Sequence, residues 1–123
     1  IDKLKHLKKL YELVDKKVNF FIQFNTSGEK EKSGLCEIDE FKKFDEVISQ
    51  KKDHCLHFKG LMTMGKIRSD NQLADARVCF ERLSFIKDQI DPELSLSMGM
   101  SSDYTLALEC GASHIRVGSS LFL

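Results

Sequence analysis

Apolar residues along this chain alternate between two rhythms, a recurrence every three to four residues and short, nearly continuous runs. Leu4, Leu7, Leu10, Tyr11 and Val14 follow the first, the spacing of an amphipathic helix. Val18 to Phe24 follows the second and is rich in Val, Phe and Ile. It is too continuous for a half-exposed strand, which predicts a strand covered on both faces, as in parallel sheets. Helical spacing returns at Ile38, Phe41, Phe44 and Ile48, and His57 to Thr63 reads as a second strand. Leu73, Ala76, Phe80, Leu83 and Ile90 mark a long helix that Ser69 or Asp70 could cap and that Asp91-Pro92 ends. Leu94 to Gly99 is the third expected strand. Asp103 to Cys110 is a short helix closed by Gly111 at the C′ position, and Ser113 to Val117 is the fourth strand.

This order, αβαβαβαβ, calls for parallel strands joined by right-handed crossovers. Four such units can build a small open sheet or half of a closed barrel, and periodicity alone does not choose between them. No linker or low-complexity stretch divides the chain, so residues 1–123 are expected to form one unit. Lysine plus arginine and aspartate plus glutamate each number 19, which leaves no global field to draw nucleic acid or anionic lipid. No run approaches the roughly 18 consecutive apolar residues of a membrane helix, and no signal-peptide layout opens the sequence. Cys36, Cys55, Cys79 and Cys110 form no CxxC and read as reduced thiols of a cytoplasmic protein. The chain starts at Ile1 and stops at Leu123 inside an apolar run, which leads us to expect a piece of something longer.

Ligands of parallel α/β folds sit at the carboxyl ends of the strands. Here those ends carry Asn25-Thr26-Ser27-Gly28, Leu61-Met62-Thr63, Met98-Gly99-Met100-Ser101-Ser102-Asp103 and Arg116-Val117-Gly118-Ser119-Ser120. In the third, a permissive glycine and two hydroxyls precede a helix whose free N–H groups favour an anion. The alternative is that Ser101, Ser102 and Asp103 merely cap that helix. Gly118-Ser119-Ser120 repeats the chemistry at the neighbouring end, and together the two read as a phosphate seat. Arg116 is sharper still, because it interrupts an apolar strand and a buried guanidinium is costly unless paired. It points either into a ligand cavity or into a structural salt bridge.

The remaining candidates are weaker. His54-Cys55-x-His57 lacks a second cluster at metal-ligand spacing and reads as a helix end entering a strand. Met62, Met64, Met98 and Met100 read as packing residues at strand ends. Lys30 and Lys32 are taken as solvated unless they help hold an anion, and His114 as an ordinary strand residue.

The segments Ile22-Gln23-Phe24-Asn25-Thr26-Ser27-Gly28-Glu29 with Lys32-Ser33-Gly34-Leu35, then Gly60-Leu61-Met62-Thr63, Leu96-Ser97-Met98-Gly99-Met100-Ser101-x-Asp103, and Ile115-Arg116-Val117-Gly118-Ser119 together resemble the pyridoxal phosphate homeostasis protein family, also known as the proline-synthetase-associated (YggS) family. The resemblance implies a (β/α)8 TIM-like barrel similar to the amino-terminal domain of alanine racemase, with this chain supplying about the carboxy-terminal half. It implies bound pyridoxal 5'-phosphate (PLP) and a non-enzymatic role in supplying and buffering that cofactor. By motif position Arg116 would face the pyridine nitrogen, Ser101, Gly118 and Ser119 would bind the phosphate, and Met98 would belong to the same cofactor site. Lys32 matches a loop lysine of the family. The family's Schiff-base lysine belongs to the first barrel strand, and no lysine here sits in that motif. Such a half leaves sheet edges and a barrel interior to be covered by the missing half, a second copy or another chain. The competing functions are a racemase or decarboxylase of the same barrel type, a barrel enzyme for another phosphorylated metabolite, and a fragment with an empty site.

Overall fold

Eight elements alternate as expected: α1 (Leu4–Leu13), β1 (Val18–Gln23), α2 (Ile38–Gln50), β2 (Leu56–Met62), α3 (Gln72–Ile90), β3 (Ser95–Met100), α4 (Tyr104–Glu109) and β4 (His114–Arg116). The computed structural model describes residues 1–30, 33–65 and 70–118. Ser69, Lys32, Ser119 and Ser120, all named from the sequence, lie outside the described residues. The four strands are parallel and follow the order β1-β2-β3-β4, each crossover stepping the same way across the sheet. A doubly wound open sheet reverses direction at a switch point. This one does not, and the barrel-type reading is the one the topology takes.

All four helices feed one core. Leu7 and Tyr11 of α1, Phe41 and Phe44 of α2, Ala76, Cys79, Phe80 and Leu83 of α3, and Ala107 of α4 join Phe20, Ile22, Leu61, Leu96 and Met98 of the strands in a single buried cluster. The helices therefore lie on one side of the sheet. Within this chain β1 is fully covered on the helix side only: Phe20 and Ile22 are buried, whereas Phe21 and Gln23 are half-buried and Asn19 is exposed. The continuous apolar run concealed a two-sided strand because Phe21 faces the other way into a concave surface of its own.

Local signals explain the element ends. Glu37 and Glu40 form a reciprocal capping box on α2. Asn71, rather than Asp70, is the N-cap of α3, its side chain accepting the Ala74 N–H at 3.3 Å. Leu73, which the apolar spacing places on the buried face of α3, is instead 58% exposed. The helix α4 ends as expected at Gly111, which has φ +103°, with Ala112 N–H reaching Ala107 O at 3.0 Å and Gly111 N–H reaching Leu108 O at 3.2 Å.

Candidate functional site at the strand ends

Polar contacts tie the carboxyl ends of the four strands together. On β4, Arg116 turns away from Ile115, which packs toward Gly99 and the helix side. Its guanidinium donates from Nη1 to Ser97 Oγ of β3 at 2.7 Å and from Nη2 to the carbonyl of Thr63, just past β2, at 3.0 Å. Both partners are neutral, and among the described residues no carboxylate stands within ion-pair distance of this arginine. Its pKa is pulled below the ordinary arginine value by desolvation, and the nearby Asp103 carboxylate opposes that shift. An arginine so perturbed still carries its charge at neutral pH.

Thr63 extends the network to β1. It is fully buried, and its hydroxyl lies 2.8 Å from the hydroxyl of Thr26, itself only 3% exposed. The Thr63 hydroxyl also donates to Phe24 O at 2.8 Å. A hydroxyl has one proton to give, so with that proton on Phe24 it accepts from Thr26. Thr26 O in turn accepts from Arg82 Nη1 of α3 at 3.2 Å. The loop beyond β1 closes on itself. Asn25 Oδ1 accepts from Ser27 Oγ at 2.7 Å, Ser27 Oγ accepts from Glu29 N–H at 3.1 Å, and Leu35 pairs with the end of β1 through its backbone. Gly34 permits that return, because a Cβ there would stand 2.7 Å from Asn25 N.

Beyond β3 the backbone turns back through Met100 and Asp103, with Asp103 N–H on Met100 O at 3.1 Å. Gly99, at φ +102°, makes this possible, since a Cβ would meet Ala107 Cβ at 2.6 Å. Asp103 is the N-cap residue of α4, yet its carboxylate makes no cap bond to the helix; Oδ1 accepts Met100 N–H at 2.7 Å. Ser101 lies half-buried in this turn. At the adjacent end, Gly118 is exposed, and a Cβ added there would meet nothing within 4 Å.

The structure thus brings Arg116 and the Ser101 turn to neighbouring strand ends and leaves open space at Gly118. Met98 goes elsewhere: it has no exposed surface and belongs to the core on the helix side. Thr26 and Thr63 appear in the sequence only as parts of strand-end segments and Ser97 only within a motif, and none is given a role there, although they hold the arginine and its support. Within His54-Cys55-x-His57, His54 has a structural role, its Nδ1 accepting Leu56 N–H at 3.0 Å and its Nε2 lying 2.9 Å from Tyr11 O, while His57 is exposed. No group of metal-ligating side chains is found among the described residues. No helix among the described residues is long and apolar enough to cross a membrane.

A singly wound parallel sheet, helices on its convex side and polar groups gathered at its carboxyl ends are features of the (β/α) barrel class. The chain belongs to the alanine racemase N-terminal domain family, whose pattern matches residues 1–123. It is 44% identical over 110 residues to a pyridoxal phosphate homeostasis protein of Schizosaccharomyces pombe, a match covering 85% of this chain and 44% of that protein. The chain spans about half the length of the curated relatives it matches. Its fold superimposes on PipY of Synechococcus elongatus solved without PLP, with a TM-score of 0.78 at 24% identity, over 100% of this chain and 59% of that one. PipY solved with PLP bound matches with a TM-score of 0.67 at 22% identity, over 100% of this chain and 58% of that one.

Proposed function

We propose that residues 1–123 form the carboxy-terminal half of a single PLP-binding barrel domain, and that the protein serves PLP homeostasis as a non-enzymatic carrier. The observation that carries this reading is Arg116, a desolvated guanidinium held at the strand ends by two neutral acceptors. A charged donor kept in this way is suited to an electron-rich ligand atom. In this proposal Arg116 donates to the ring nitrogen, while Ser101, Gly118 and Ser119 hold the phosphate through hydroxyl and backbone N–H groups. The residues present fit such a ligand: the space at Gly118 is open and the Ser101 turn lies at the next strand end. Met98, buried in the core, contributes by fixing β3 rather than by touching the ligand.

PLP, when bound, supplies an aldehyde and a ring able to withdraw electrons. An arginine at the ring nitrogen holds its own proton and so leaves that nitrogen unprotonated, which weakens the ring as an electron sink and suits storage better than turnover. The names of the relatives and the PLP-bound form of PipY support the choice of ligand.

Calorimetric titration of the protein carrying both halves of the barrel with PLP, with pyridoxal and with inorganic phosphate tests the reading. Binding of PLP, at least tenfold tighter than pyridoxal and weakened by Arg116→Ala, is the expected result. No heat with PLP up to about 1 mM, the concentration that corresponds to roughly −4 kcal/mol of binding, would sink it.

A further inference from the structure

Arg116 could swing widely on its three-carbon stem, yet it is held at both ends of its fork. A guanidinium has five N–H donors. Two are used, on Ser97 Oγ and Thr63 O, and the other three have no partner among the described residues. Which way those three point is therefore decided by the two acceptors. Ser97 is half-buried on β3 and Thr63 is fully buried, so neither acceptor is a mobile surface group.

Thr63 is fixed in its own right. Its hydroxyl must both donate, to Phe24 O at 2.8 Å, and accept, from Thr26 Oγ1 at 2.8 Å. Thr26 is anchored in turn by Arg82 of α3 through its carbonyl. The carbonyl that receives Arg116 thus belongs to a residue whose side chain is locked to β1 and, through it, to α3. A buried hydroxyl pair of this kind is costly to leave half satisfied, so it has one favoured arrangement.

We propose that Ser97 and Thr63 are positioning residues for Arg116: Ser97 through its hydroxyl, and Thr63 through a carbonyl held in place by the Thr26–Thr63 hydroxyl pair, so that the three remaining guanidinium N–H groups are aimed at the ligand. The ligand side of this statement rests on the cofactor reading above; the orientation of Arg116 does not.

The test uses the full chain labelled with 15N-arginine. In the unaltered protein the Arg116 Nη–H protons should exchange with water at least tenfold more slowly than those of free arginine. Ser97→Ala should abolish the protection of one Nη group, and Thr63→Val should reduce that of the other. Thr63→Ser keeps a hydroxyl that can donate and accept, and should restore it. PLP titration of the same proteins should show Ser97→Ala weakened about fivefold, the size expected for one lost hydrogen bond. Unaltered Arg116 signals in Ser97→Ala would overturn the proposal. So would Arg116 protons in the original chain that exchange as fast as free arginine, a result that needs no variant to fold. If the original chain binds PLP and Ser97→Ala binds it equally well, the ligand-directed half of the proposal fails. If the protein carrying both halves of the barrel binds no PLP, the cofactor reading fails, and the guanidinium signals alone decide whether Ser97 and Thr63 position Arg116.

Discussion

The ring of Phe21 on β1 stands edge-on to the imidazole of His114 on β4, with centroids 5.2 Å apart and planes at 69°. These residues belong to the first and last strands of the four-stranded sheet. In a flat sheet, three strand spacings would separate them by about 14 Å. Their contact means that the sheet curls until its two edges face each other across the concave side. Arg116 lies two residues beyond His114 on the same strand, so the aromatic contact closes the concavity on the side away from the ligand-facing ends.

A double-mutant cycle reads this contact directly. Phe21→Leu and His114→Ala should show a coupling of about 0.5–1.5 kcal/mol in urea unfolding, the range for edge-to-face ring pairs. Additivity within roughly 0.3 kcal/mol would mean that the edges do not meet in solution.

Two glycines separate folding from binding. At Gly60 of β2 a Cβ would overlap Ser95 O on the paired strand, a backbone atom that cannot yield without parting β2 from β3. Gly60→Ala should cost upwards of about 2 kcal/mol or prevent folding. At Gly118 a Cβ meets nothing within 4 Å, so Gly118→Ala should leave thermal unfolding within a degree or two while weakening PLP binding. Comparable melting losses in both variants would contradict the assignment of Gly118 to the ligand side.

The element order was legible because each helix carries an apolar stripe and each strand a dense run of Val, Ile, Leu or Phe. Arg116 was legible because a charge inside Ile115-Arg116-Val117 has to be accounted for. Its supports were not. Ser97 is an ordinary strand residue and Thr63 an ordinary residue just past β2, and the atom of Thr63 that receives Arg116 is a carbonyl, which every residue possesses. Period-two alternation does place Ser97 opposite Met98, so the core position of Met98 follows once Ser97 is known to face Arg116. The cap of α3 was misplaced because Asp70 and Asn71 are both good cap residues and the apolar period begins only at Leu73.

Alkaline pH should destabilise the fold in two stages. Burial pushes the Cys110 thiol above its usual value; Arg77 opposes this, while Glu81 and Glu109 add to it. Burial also raises the Tyr11 phenol, which is packed edge-on against Phe20 and His54. In both cases the unfolded chain ionises first. Their contribution is therefore complete below the ordinary pKa of each group and is lost as pH climbs toward the raised value. Stability should decline above about pH 9 through Cys110 and more steeply above about pH 10 through Tyr11. Tyr11→Phe should flatten the upper limb with little change at pH 7, because the Tyr11 hydroxyl has no partner among the described residues. An unchanged slope above pH 10 in Tyr11→Phe would show that another group drives the loss.

Arg116 itself distinguishes a binding residue from a structural one. Charges kept for folding are expensive to remove, because truncating one partner of a buried ion pair costs about 3–5 kcal/mol. Among the described residues Arg116 has no ion-pair partner to strand; it donates to a hydroxyl and to a carbonyl, and its desolvation weighs against the folded state. Replacement by an unbranched apolar side chain removes that desolvation cost while leaving two neutral acceptors without a donor. The opposing effects are each on the order of 1–3 kcal/mol and largely cancel. Arg116→Met should therefore unfold within about 1 kcal/mol of the original chain while PLP binding weakens as in Arg116→Ala. A loss of 3 kcal/mol or more would instead make Arg116 a structural cross-tie between β2, β3 and β4, and would take from the cofactor reading the observation on which it stands.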